Sequence, residues 1–228
     1  MSNTAFGKSS IGKKVLMALS GFFLLFFLLQ HLTINLLSVI NPDTFNEVSH
    51  FMGNNPLVQF ALQPVLIFSV VFHLAMGMYL EFQNRNARPV KYVMNSPQKN
   101  SSWMSRNMII TGIMVLLFLA VHFVDFWIPE ISTKYIKGDT TGLNAAGELR
   151  YYEELVHKFA SPVKVIIYVL SFVFLSLHLL HGFKSAFQSV GFRHTKYTPM
   201  ISKLATIYGI AVPALFIFIA IFHHLNAH

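Results

Sequence analysis

The chain has 228 residues and no cysteine. That excludes disulfides, thiolate-held zinc and cysteine-held iron–sulfur clusters, so any metal must sit on nitrogen or oxygen. Charge is also scarce. Only 11% of the residues are charged, where a soluble domain carries about a quarter. Carboxylates are scarcest, nine against seventeen Lys and Arg.

Apolar side chains fill the space that charge leaves: 54% of residues are hydrophobic and mean hydropathy is +0.54. They form long runs without a one-sided helical stripe. Five run from Val15 to Ile40, Leu57 to Phe82, Met108 to Ile128, Val163 to Phe187 and Leu204 to Leu225. Each meets the roughly 20 residues that a helix needs to cross a bilayer core. Pro64 and Pro213 fall within two runs, where lipid-embedded helices tolerate them. The expected fold is therefore all-α, a polytopic membrane bundle of five transmembrane helices forming one domain over residues 1–228. The residues before the first run carry Lys8, Lys13 and Lys14. That run is too long for a signal-peptide core and reads as an uncleaved first span.

Five spans put the termini on opposite sides. One side would hold Lys8, Lys13, Lys14, Arg85, Arg88, Lys91, Lys99, Arg106, Lys184, Arg193, Lys196 and Lys203. The other would hold Lys134, Lys137, Arg150, Lys158 and Lys164, with every carboxylate except Glu81. The positive-inside rule makes the first side cytoplasmic, with the N-terminus inside and the C-terminus outside. The net charge of +8 is then a topology signal, and no nucleic-acid partner is expected. Two outer loops should hold short interfacial helices. In "NPDTFNEVSHFMGNNP", Asn41 is a candidate N-cap, Pro42 suits the first helical position, and Phe45, Val48 and Met52 share a face. In "AAGELRYYEELVHKFASP", Leu149, Tyr152, Leu155 and Phe159 share a face before Pro162. The basic, Pro-broken inner loop "NARPVKYVMNSPQKNSSWMSRN" could dock a soluble partner.

Eleven histidines are many for this length, and four spans carry them: His31, His73, His122 and the pair His178 and His181. Counting 1.5 Å per residue from the span ends places them in two layers. His31 and His122 fall in the outer half, and His73 and His178 in the inner half, somewhat more than ~10 Å away. Two histidines from two helices at one depth suit the axial positions of a six-coordinate haem iron. Zinc would want three or four ligands per site. A proton relay would want carboxylates inside the spans, and only Asp125 qualifies. "HLAMG" and "HLLHG" place Gly77 and Gly182 one turn after His73 and His178, where a flat macrocycle could approach the backbone. His181 is rotated about 60° from His178. It is expected to hydrogen-bond near the haem edge or to a neighbouring helix.

"FLLQHLTIN", "SHFMGNNP", "FHLAMGMYL", "SSWMSRNMIITG", "LAVHFVDFWI" and "LHLLHGFKSAFQSVGF" together resemble a known family. It is the five-helix, dihaem cytochrome b membrane anchor of bacterial succinate dehydrogenase and fumarate reductase. The resemblance covers most of residues 1–195 and implies a subunit in the cytoplasmic (inner) membrane. It also implies that a flavoprotein and an iron–sulfur subunit bind its cytoplasmic face. Two haem b groups would carry electrons between the iron–sulfur subunit and quinone, with menaquinone the usual companion of the dihaem type. Carried over by position, His73 and His178 would ligate the inner haem, and His31 and His122 the outer.

Arg106 and Lys184 are candidates for the propionates of the inner haem, and Ser102 and Trp103 for its edge. Quinone chemistry also needs an ionisable group with water access, for which Glu47, His50 and Asp125 are candidates near the outer haem. His223, His224 and His228 are expected at the outer interface without a ligand role. Two rival readings stand beside this one: a dihaem anchor of a hydrogenase or formate dehydrogenase, and a haem-free transporter that relays protons through histidines.

Overall fold

The computed structural model describes residues 9–86 and 107–227. Arg106, Ser102, Trp103 and most of the inner loop therefore lie outside the described residues. The helices are α1 (Ser10–Ile40), α2 (Pro42–Asn54), α3 (Val58–Asn86), α4 (Met108–Ile136), α5 (Tyr151–Ala160), α6 (Pro162–Ser189) and α7 (Thr198–Leu225). Five of them, α1, α3, α4, α6 and α7, are long and apolar enough to cross a membrane. Among the described residues there is no strand, only an isolated bridge between Leu143 and Leu149. The fold is an all-α polytopic bundle.

Each span outruns its apolar run, because backbone hydrogen bonding carries the helix on into polar flanks. The extension is longest in α4, which continues past Ile128 to Ile136. Pro129 lacks an N–H, and the helix passes it with wide π turns at Phe123–Trp127 and Ser132–Ile136. A similar turn at Val58–Leu62 precedes Pro64 in α3.

Sequence punctuation sets the other ends. Asn41 closes α1 with its backbone N–H on Leu37 O (2.8 Å) and opens α2 with its side chain accepting from the Thr44 N–H (3.1 Å). Gly191, at φ +91°, ends α6 in a left-handed turn that lets Phe192 N–H reach Phe187 O. The helix expected after Leu149 begins two residues later, at Tyr151. Residues before it turn back through the Leu143–Leu149 bridge.

The core lies between α1, α6 and α7, capped at one end by α2 and α5. It includes Leu32, Phe45, Leu155, Phe159, Phe172, Leu175, Leu179, Val212 and Phe216. The bundle faces outward with large apolar side chains: Phe26 is 72% exposed and Phe60 74%. A lipid-facing surface has this character, and a water-facing one does not. α3 buries none of its residues.

The tightest helix pair is α6 and α7. Pro213 has no N–H to give Gly209 O four residues earlier, so that carbonyl would be left without its helical partner. Ser176 of α6 donates to it at 2.6 Å. The approach depends on glycine, since a Cβ at Gly209 would lie 3.0 Å from the backbone nitrogen of Leu180. We expect Gly209→Ala to cost about 1–3 kcal/mol by overpacking. Thermal unfolding in detergent reads this, and an unchanged midpoint would show that the helices can part there freely.

Candidate haem-binding sites

Four of the singled-out histidines meet in two pairs. At the level nearer the start of α1, the pair expected to be inner, the His73 ring of α3 and the His178 ring of α6 have centroids 6.4 Å apart. At the other level, the pair expected to be outer, His31 of α1 and His122 of α4 are 5.8 Å apart. A metal held between two imidazoles needs ring centres roughly 6 Å apart, given a metal–nitrogen bond of about 2 Å on each side. Both pairs fit that span. Among the described residues no group of three or more His, Asp or Glu could hold a metal, so the zinc geometry is not met.

The inner pair is framed by two small residues from α1 and α4. A Cβ on Gly21 would lie 3.6 Å from the His73 ring, and one on Gly112 would lie 3.7 Å from the His178 ring. The residue before each glycine carries a hydroxyl aimed at the same ring. Ser20 Oγ is 3.0 Å from His73 Nδ1, and Thr111 Oγ1 is 3.4 Å from His178 Nδ1. At Gly77 and Gly182, the glycines expected to face a macrocycle, an added Cβ would lie 3.4 Å from the methyl carbons of Met17 and Met108 respectively.

None of Ser20, Gly21, Thr111 or Gly112 was singled out from the sequence, though a signal was there. "MALSG" (Met17–Gly21) and "MIITG" (Met108–Gly112) share one pattern, each on a helix that goes on to a histidine of the outer pair.

The outer pair sits among aromatic rings. Phe27 stacks on His31 at 5.5 Å, and Phe118 and Phe126 lie 5.7 and 5.3 Å from His122. His122 Nδ1 is buried with no hydrogen-bond partner among the described residues. Asn35 Nδ2 is 3.5 Å from His31 Nε2 and donates to the His31 carbonyl at 2.9 Å.

The π turn after His122 brings in Asp125, which is 4% exposed, ion-paired to Lys164 and hydrogen-bonded by Tyr168 Oη at 3.1 Å. The Tyr168 ring in turn lies 6.4 Å from the His122 ring. An open cleft of about 450 Å³ reaches Asp125 between Arg150, Glu154, His157 and Lys158.

Not every candidate comes to a histidine pair. Glu47 is exposed on α2. His50 shares its hydrogen bonds with Asn54 (3.1 Å) and Tyr151 (3.4 Å). Lys184 is exposed on α6, and His181, half-buried, has no hydrogen-bond partner among the described residues. The expectation for His223 is corrected. It is fully buried, because α5 covers that end of α7: Tyr152 packs edge-on against its ring and Ser38 Oγ meets its Nε2 at 2.8 Å. His224 meets the Phe159 carbonyl at 2.9 Å.

The cap over the outer end is tied by charge. Lys134, with a side chain 4% exposed, pairs with Glu130 at 2.7 Å and donates to the Gly53 carbonyl. Arg150 bridges Glu130 at 2.5 Å and Glu154 at 2.6 Å. Burial, then the Glu130 charge, pushes the Tyr151 phenol up to about 12. The phenol therefore stays protonated and able to donate across the ordinary pH range.

Comparison with known proteins bears on this arrangement. The family model for the succinate dehydrogenase/fumarate reductase transmembrane subunit matches residues 14–84 and 81–219. The chain belongs to that family. It is also similar to the succinate dehydrogenase cytochrome b558 subunit of Bacillus subtilis (strain 168), at 25% identity over 183 residues. That match spans 79% of this chain and 80% of the relative. No solved structure matches it. The four paired histidines all fall within the matched residues, so this transmembrane subunit carries both pairs inside the part shared with its family.

Proposed function

We propose that this subunit binds two haem b groups, one between His73 and His178 and one between His31 and His122. The observation that carries the reading is the pairing itself: two imidazole pairs, each from two helices, at a separation that suits axial ligation. When bound, haem supplies one-electron redox chemistry at a potential tuned by its surroundings. The chain would hold the two groups at two depths through these histidines, would exclude water with the rings around His31 and His122, and would not touch succinate.

The single transmembrane domain over residues 1–228 would lie in a bacterial cytoplasmic membrane. Its N-terminal side would face the cytoplasm and an iron–sulfur subunit, itself joined to a flavoprotein. Electrons would pass between that partner and a quinone, menaquinone by family habit. Lys184, with Arg106 outside the described residues, remains a candidate for the inner propionates. At the outer end Asp125 is favoured over Glu47 and His50 for handling the quinone's protons. It joins the outer pair through Tyr168, and the open cleft beside Arg150 reaches it. The family match favours this reading over a hydrogenase or formate dehydrogenase anchor and over a haem-free transporter.

A haem count on the purified complex is the test. Two b-type haems per copy of this chain are expected. A count of zero removes the cytochrome reading, and a count of one removes one of the two pairs.

A further inference from the structure

We propose that Ser20 and Thr111 are the positioning residues of the inner pair, each accepting a hydrogen bond from the Nδ1–H of its histidine and so leaving Nε2 free to bind iron. The inference rests on the haem reading above.

It follows from counting protons. A hydroxyl has one to give. Ser20 Oγ gives its proton to Met17 O at 2.8 Å, and Thr111 Oγ1 gives its proton to Met108 O at 2.9 Å. Towards the imidazoles, both oxygens can then only accept. The proton in each contact must come from the ring, so His73 and His178 carry it on Nδ1. A neutral imidazole protonated there has its lone pair on Nε2. Both hydroxyls are buried, Ser20 at 9% and Thr111 at 3% exposure, so water offers little competition for the ring N–H.

The device occurs twice, on different helices. In each case a methionine carbonyl takes the hydroxyl proton, the hydroxyl takes the ring proton, and the next residue is a glycine against the ring. His122 of the outer pair lacks the device, since its Nδ1 has no hydrogen-bond partner among the described residues. That difference provides an internal control.

An acceptor on the far nitrogen raises the donor strength of a ligating imidazole. Stronger donation favours ferric over ferrous iron and lowers the potential. Removing the acceptor should therefore raise it. The experiment compares Ser20→Ala, Thr111→Val and the conservative Thr111→Ser in the assembled complex. Redox titration and low-temperature EPR follow both haems, and the inner one is identified as the signal missing in His178→Ala.

We expect the inner midpoint potential to rise in Ser20→Ala and Thr111→Val, its EPR signal to shift, and the outer haem to stay put. Thr111→Ser should restore the wild-type values. Selective loss of the inner haem, reversed in Thr111→Ser, would support the same role. An unmoved inner potential with both haems present overturns the proposal, as does an equal change in both haems, which would reduce the hydroxyls to packing. A wild-type complex without haem fails at the earlier step and removes the haem reading itself.

Discussion

His178→Ala should leave the complex with one fewer haem than the two proposed for the wild type, and the haem lost should be the one lost in His73→Ala. His31→Ala and His122→Ala should share the other loss. Each pair, with rings 5.8 or 6.4 Å apart, would hold its haem through both imidazoles, so removing either one would take away half of the protein's hold on that group. His181→Ala should keep both haems, although it lies three residues from His178 on the same helix. Haem content with reduced-minus-oxidised spectra reads all five variants. Should His181→Ala lose a haem while His178→Ala keeps two, the inner assignment is reversed. Should His73→Ala and His178→Ala lose different haems, the pairing across α3 and α6 is wrong.

Glu130→Ala should cost the outer cap about 3 kcal/mol, at the low end of the range for stranding a buried charge. Glu130 is the shared anion of two cations whose side chains are only 4% and 10% exposed, Lys134 and Arg150. The loss stays at the low end because Lys134 keeps the Gly53 carbonyl and Arg150 keeps Glu154. Glu81→Ala is the matched control. It breaks an ion pair with Arg85, whose side chain is 65% exposed, and such exposed pairs contribute under about 1 kcal/mol. Thermal unfolding in detergent ranks the two variants. A Glu130→Ala protein as stable as Glu81→Ala would mean that the cap is held by its apolar contacts alone.

The spans were legible because hydropathy over twenty residues is a collective signal, and no single residue can hide it. The caps at Asn41 and Pro42 were legible because they rest on local chemistry. What escaped depended on neighbours distant in sequence. Nothing around His223 announces that α5 will fold over it, and a histidine near a helix end reads as interfacial until Tyr152 and Ser38 close on it. The same holds for two glycines. Gly77 and Gly182 follow a histidine on its own helix, a relation that a sequence motif shows. The glycines against the imidazoles sit on other helices, at Gly21 and Gly112. A motif runs along one helix, whereas the site is made across several.

The repeated pattern on α1 and α4 also fixes a length. Gly21 lies against the inner pair and His31 in the outer, ten residues on. Gly112 and His122 are separated by the same ten. At 1.5 Å per residue the two levels stand about 15 Å apart on both helices. The residues between differ, "FFLLFFLLQ" in one and "IMVLLFLAV" in the other, but their number does not. These stretches are a pair of rulers. Substitutions at the exposed positions Phe26, Leu29, Ile113, Leu116, Leu117 and Ala120 should be absorbed by lipid-facing freedom. A single inserted or deleted residue would swing the histidine beyond it by about 100° and lift it off its partner. In this subunit, then, tolerance to exchange at the lipid-facing positions and intolerance to insertion should coexist in the same two stretches.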